Sequence, residues 1–290
     1  MTGPYVVTIS SEKGGVGKTT LATNLAIYLK ALVEDLPVTL LSFDNHFSVD
    51  RMFRIGRAAN PGAGTVRELL AGTPPEELLE LGQYGVQFIP SWREVEELRR
   101  QTRTLADLGL VLATSRLSGV LIIDTRPDLD ILTRNALFAA DRVIVPVKDA
   151  PSLENCRHLH EFFDRCGLPR RTLRLLPCLI DSRIRFDGPF KNLSELLRAY
   201  AINRGYRCFD GYISKSPKVE SLNTNPEGKI YPVLTYGRNT EVHSQFTQLA
   251  RQVYQDLQNT PVLRAMEIAQ RLAQKEAESA PQPAVDGAAS

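Results

Sequence analysis

Short runs of consecutive apolar residues alternate along this chain with stretches in which apolar positions recur every three or four residues. Tyr5–Ser10, Val38–Phe43, Val86–Pro90, Val120–Asp124, Val143–Val147 and Leu173–Ile180 are the short runs. A run of that length bounded by turn residues reads as a strand buried on both faces. Thr19–Val33 carries Leu21, Leu25, Leu29 and Leu32 at the helical period, and Pro75–Leu81, Glu94–Ala106, Leu153–Cys166 and residues 243–257 also read as helices. Strands that alternate with helices predict an α/β fold, a mainly parallel twisted sheet with helices on both faces. No polar linker breaks the pattern from Tyr5 to about Leu257, which predicts one domain over residues 1–258. Residues 259–278 read as a C-terminal helix. The small, proline-punctuated segment 279–290 is expected to be a disordered tail.

Composition narrows the setting. Hydrophobic residues make up 43% of the 290 positions, ample for a buried core. The apolar residues near Leu108–Ile123 are interrupted by Thr114, Ser115 and Arg116, so no membrane span is readable. Residues 1–9 show no basic segment leading into an apolar one, and the expected location is the cytoplasm. Cys156, Cys166, Cys178 and Cys208 form no CxxC pair and have no histidine at a zinc-like spacing, so they read as buried thiols in a reducing compartment. The net charge is +2, yet residues 157–218 hold 13 Lys and Arg against six Asp and Glu. That imbalance marks a candidate surface for a polyanion.

Between the first strand and the first helix lies Ser10–Thr20, SSEKGGVGKTT. Gly14, Gly15 and Gly17 let backbone N–H groups converge on phosphate oxygens with no Cβ in the way, and the helix that follows turns the positive end of its dipole toward them. Lys18 adds a cation for the β- and γ-phosphates, Thr19 a hydroxyl for a magnesium ion, and Thr20 is placed to cap or touch a more internal phosphate. The general P-loop pattern wants glycine where this chain has Glu12, and the loop gains a second lysine, Lys13. A glycine-rich turn with surface lysines is the alternative. It leaves unexplained why strand, glycine spacing, Gly-Lys-Thr-Thr and helix onset coincide.

Lys13–Thr20, KGGVGKTT, resembles the deviant phosphate loop of the ParA/MinD group of P-loop ATPases. The resemblance implies a P-loop NTPase fold with ATP and Mg2+ as cofactors. It also implies nucleotide contacts from Lys13, Gly14, Gly15, Val16, Gly17, Lys18, Thr19 and Thr20, with catalytic parts for Lys13 and Lys18. In that group the loop's first lysine reaches across a dimer to the partner's nucleotide, so Lys13 would help two copies sandwich ATP. Asn135–Asn155 and His243–Leu257 are similar to the group as well, and the resemblance covers about residues 5–257, with 157–240 its most diffuse part.

Asp44 and Asp124 each end a strand, and the carboxyl ends of strands in an open parallel sheet line the ligand crevice. Asp124 closes VLIID and leads into Thr125-Arg126-Pro127, so it resembles the Walker B aspartate that binds magnesium, usually through water. A helix-capping aspartate is the other reading. Asp44 closes LLSFD, where the group usually has DxD followed by Pro-Gln, the second aspartate helping to position the attacking water. The resemblance gives that role to Asp44, with a turn-forming side chain as the alternative. Ser42 stands in place of the first aspartate and Asn45-His46 in place of Pro-Gln. These departures bear on hydrolysis rate more than on binding. Asp50 is a candidate substitute carboxylate, whereas His46 reads as a loop residue and His158 and His160 as surface residues.

Members of the group differ in what they hold. The basic segment, which includes Arg170, Arg171, Arg174, Arg183, Arg185, Lys191, Arg198, Arg204, Arg207, Lys215 and Lys218, offers phosphate contacts to DNA, with a solvated charged face as the alternative. Its interleaved aromatics, Phe186, Phe190, Tyr200, Tyr206 and Phe209, read as stacking platforms or as core. The expected function is a ParA-like ATPase that closes as an ATP-dependent homodimer and binds DNA without sequence preference. It would be slow, stimulated by a partner protein, associated with a bacterial nucleoid, and used to position DNA or a protein cargo. Two alternatives stand: a MinD-like ATPase held at a membrane by the helix near Leu263–Ala277, and a nucleotide-binding scaffold with weak turnover, motivated by Ser42 and Asn45-His46.

Overall fold

Eight strands form the sheet that organises the computed structural model, which describes residues 3–44, 47–55, 64–222, 229–259 and 267. They are β1 Tyr5–Ile9, β2 Val38–Ser42, β3 Glu80–Leu81, β4 Gln87–Phe88, β5 Val120–Asp124, β6 Arg142–Val147, β7 Leu173–Ile180 and β8 Ile213–Ser214. Their spatial order is β3-β4-β2-β5-β1-β6-β7-β8. The pairs from β4 to β8 are parallel, and only β3 runs antiparallel, to β4. The central strands are buried along their whole length because helices cover both faces. The pleat sends alternate residues to opposite cores: Tyr5, Val7 and Ile9 of β1 join one apolar cluster, and Val6 joins another.

The helices are α1 Lys18–Leu32, α2 Ser48–Phe53, α3 Val66–Leu70, α4 Val95–Gln101, α5 Asp107–Thr114, α6 Ile131–Ala139, α7 Ala150–Arg165, α8 Leu193–Asn203, α9 Pro217–Ser221, α10 Val233–Tyr236 and α11 Glu241–Asn259. α1 and α11 lie together on one face. There the Tyr28 hydroxyl meets His243 Nδ1 at 2.7 Å, and the Tyr28 ring stacks on Phe246 with centroids 5.4 Å apart. Gly119 sets the start of β5: it sits at φ 75°, and a Cβ there would come within 2.1 Å of the Pro37 carbonyl oxygen. Only glycine permits that approach.

Several expectations need correction. Pro75–Leu81 is not a helix: a single 3-10 turn at Pro75–Glu77 gives way to β3, whose Glu80 and Leu81 pair with Phe88 and Gln87. The pairing to an edge strand outweighs a helical pattern of only two turns. The helix expected over Glu94–Ala106 ends at Gln101. Asp107 accepts hydrogen bonds from the backbone N–H groups of Arg103 and Thr104, drawing that backbone out of the helix and starting α5. His160 is buried rather than on the surface, with its ring stacked on Tyr206 at 4.2 Å. Burial lowers its pKa to about 4. Phe209 is core as well, whereas Phe186 and Tyr200 are exposed. The expected C-terminal helix falls outside the described residues except for Glu267, and the tail lies wholly outside them.

Candidate nucleotide site

The loop between β1 and α1 opens at the centre of the sheet, at the carboxyl ends of its strands. Gly15 and Gly17 adopt φ of 66° and 89°, left-handed conformations that a side chain resists. A Cβ on Gly14, Gly15 or Gly17 would meet no protein atom within 4 Å and would project into the cradle's open space. Lys18 begins α1 and folds back over the loop, its Nζ donating to the carbonyl oxygens of Ser11 at 3.0 Å and Lys13 at 3.2 Å. Burial lowers its pKa, while Asp124, Asp44 and Asp128 oppose the change. An ammonium this enclosed is poised to meet an anion.

Asp124, at the end of β5, is fully buried. Both of its described hydrogen bonds fall on one oxygen: Thr19 Oγ1 donates to Oδ2 at 2.8 Å and Ser42 Oγ at 3.0 Å. The other oxygen, Oδ1, is buried with no hydrogen-bond partner among the described residues. Burial drives this carboxyl's pKa up to about 7, against the pull of the Thr19 and Ser42 bonds. A buried acceptor without a donor beside a threonine hydroxyl suits a hard cation. Mg2+ takes few protein ligands and fills its octahedron with phosphate oxygens and water. No group of three or more His, Cys, Asp or Glu that could by itself hold a metal ion occurs among the described residues. Thr19 and Asp124 are the residues that would hold the ion.

Asp44 follows β2, and its backbone N–H donates to Ser42 Oγ at 3.0 Å. Its carboxylate lies close enough to raise the pKa of both Lys18 and Asp124. Asn45 and His46 lie outside the described residues. Asp50 is turned away from this chemistry: it accepts from the Ser91 N–H at 3.3 Å and from Arg54 at 3.1 Å, tying α2 to the chain after β4. Lys13 is engaged within its own subunit, its Nζ 2.6 Å from Asp149 Oδ2. Asp149 also caps α7 through a capping box with Ser152. Although burial opposes it, these bonds hold the Asp149 carboxyl below its usual pKa.

A profile described as the CobQ/CobB/MinD/ParA nucleotide binding domain matches residues 7–227. The chain belongs to this family. Among its relatives, the chromosome partitioning protein ParA of Caulobacter vibrioides is 29% identical over 267 residues, covering 86% of this chain and 93% of that protein. The chromosome-partitioning ATPase Soj of Thermus thermophilus is 35% identical over 188 residues, 63% of this chain and 70% of that one. The fold also matches cobyrinic acid a,c-diamide synthase from Mycobacterium smegmatis with bound ATP analogue and magnesium. That match has a TM-score of 0.65 at 20% identity, over 88% of this chain and 96% of that one. A plasmid partition protein from Borrelia burgdorferi bound to AMPPNP matches with a TM-score of 0.62 at 20% identity, over 87% and 98%. One fold thus carries both synthases and partition proteins, so fold alone does not select the activity.

Three features around the loop escaped the sequence. Asp149 as the holder of Lys13 is one. The second is an apolar recess of about 80 Å³ beside the loop, walled by Val16, Thr20, Leu179, Ser216 and Phe246. It is marked in the backbone by a left-handed Leu179, φ 56°, where the β7–β8 register shifts. The third is the pairing of Glu12 with His158 at 3.0 Å. Each joins residues more than a hundred positions apart or depends on a local irregularity, and no sequence spacing signals it.

Proposed function

We propose that the chain is a ParA-like ATPase that binds ATP with Mg2+, closes as a nucleotide-dependent homodimer and holds DNA without sequence preference. The observation that carries the nucleotide reading is Asp124, whose Oδ2 accepts from Thr19 of the glycine loop while its buried Oδ1 has no hydrogen-bond partner among the described residues. In this reading the loop N–H groups and Lys18 bind the phosphates, the base enters the recess walled by Leu179 and Phe246, and Asp44 orients the attacking water. Mg2+, when bound, neutralises charge on the β- and γ-phosphate oxygens. The four members Lys18, Thr19, Asp124 and Asp44 then act by position and charge, which is most of what phosphoryl transfer asks of a protein.

Dimerisation requires Lys13 to leave Asp149 for the partner's nucleotide. Support for DNA binding comes from the exposed Arg171, Arg185, Lys191, Arg204, Arg207, Lys215 and Lys218, which form no ion pair among the described residues. The residues that would form a membrane anchor lie almost wholly outside the described ones, and among the described residues no helix is long and apolar enough to cross a membrane. Analytical ultracentrifugation with ATP, ADP and no nucleotide tests the proposal. The parent chain is expected to dimerise with ATP only, Lys13→Ala to bind ATP as a monomer, and Lys18→Ala to lose ATP binding. A parent chain that stays monomeric at saturating ATP rules the sandwich out.

A further inference from the structure

Ser42 is buried at the end of β2, between the backbone of Asp44 and the carboxylate of Asp124. A hydroxyl has one proton to give and two lone pairs to accept with. The Asp44 N–H can only donate, so Ser42 Oγ accepts there at 3.0 Å and gives its proton to Asp124 Oδ2 at 3.0 Å. The direction of the chain of bonds is therefore fixed. We propose that Ser42 is a positioning residue for the cation site: lying between the Asp44 backbone and Asp124 Oδ2, it holds the Asp124 carboxylate with Oδ1 turned to Mg2+.

The inference rests on the ATPase reading above and adds to it a residue that neither family membership nor the phosphate loop assigns. Two donors, Thr19 and Ser42, share Oδ2 in the described structure. When Thr19 turns its oxygen to a cation, Ser42 is the donor that remains on that oxygen. Among the described residues, Ser42 is then the donor that sets the rotation of the carboxylate. An aspartate at this position could accept from the Asp44 N–H but, when ionised, could not donate to Asp124. Two carboxylates at this separation resist ionising together. Serine keeps both bonds with a neutral group and leaves Asp124 the single negative charge at the end of β5.

Removing a hydrogen-bond partner of a metal ligand lowers metal affinity by about 10- to 100-fold. The test is Mn2+ binding to the full chain, followed by electron paramagnetic resonance in the presence of saturating ADP or a non-hydrolysable ATP analogue. Ser42→Ala is expected to weaken Mn2+ about tenfold while nucleotide affinity without divalent cation stays unchanged, and Ser42→Thr, which restores the hydroxyl, to recover the parent value. Should Ser42→Ala fail to fold, Ser42→Cys, with its weaker donor, takes its place and is expected to show the same loss in smaller measure. Mn2+ affinity equal to the parent's in the folded variant overturns the inference and leaves the ATPase reading intact. A parent chain that takes up no Mn2+ with either nucleotide overturns the ATPase reading, and this inference with it.

Discussion

Asp124 shows at the scale of one residue how a buried carboxylate destabilises the fold that carries it. Its pKa rises from 3.8 in the unfolded chain to about 7 in the ligand-free fold, because burial removes water faster than Thr19 and Ser42 replace it. The folded state therefore holds the proton more tightly than the unfolded state. Its contribution to stability is fully present below pH 4 and is lost as pH rises through 7. Each pKa unit is worth about 1.4 kcal/mol. Asp124→Asn, which cannot ionise, is expected to be more stable than the parent at pH 8 by a few kcal/mol, with the advantage shrinking steadily toward pH 4. Urea unfolding of the two ligand-free proteins at several pH values checks this. An advantage that does not change with pH contradicts the assignment.

At the scale of elements, the phosphate loop is held in place by what α1 packs against. α1 joins the same core as α11, through the Tyr28–His243 bond and the Phe246 ring. Phe246 also walls the recess beside the loop. Phe246→Ala is expected to cost about 3–5 kcal/mol of stability, read from the denaturation midpoint, and to weaken nucleotide binding through the recess. A loss of stability with nucleotide affinity untouched removes the recess from the site. α1, β1, β2 and β5 were legible in the sequence nearly to the residue, since each is a long periodic helix or an apolar run closed by a turn. β3 and the break between α4 and α5 were not. Pairing with Phe88 and Gln87 decides the first, and the Asp107 side chain bonded to nearby backbone decides the second.

Across the whole molecule, the basic segment turns out to be two surfaces. Arg171, Arg174, Arg204 and Arg207 gather where β7 begins: the Leu175 N–H donates to the Arg207 carbonyl, and Asp256 neutralises Arg174. Arg185, Lys191, Lys215 and Lys218 lie past the other end of that strand, where the Lys215 N–H donates to the Ile180 carbonyl. The second group shares the sheet's carboxyl end with the phosphate loop, so under the proposed function a nucleotide-dependent change would reach it more directly. Neutralising Lys215 and Lys218 together is expected to reduce ATP-dependent DNA binding and to lower the slope of log affinity against log salt by about two, close to one unit per phosphate contact. Neutralising Arg204 and Arg207 should leave the ATP dependence in place. The opposite pattern moves the DNA surface to the far end of the sheet.

The sequence by itself determined the alternation of strands and helices, the phosphate loop with its two lysines, and the two strand-end aspartates. All of these are local: a period, a spacing, or a residue at the end of an apolar run. Only the tertiary structure decided that Asp149 holds Lys13, that Asp50 and His160 are built into the fold, and that the basic run divides between two ends of the sheet. It also decided that Ser42, in sequence only a departure from the family's pattern, joins Asp44 to Asp124. Those facts depend on distances between residues remote in the chain, which packing sets and sequence spacing does not.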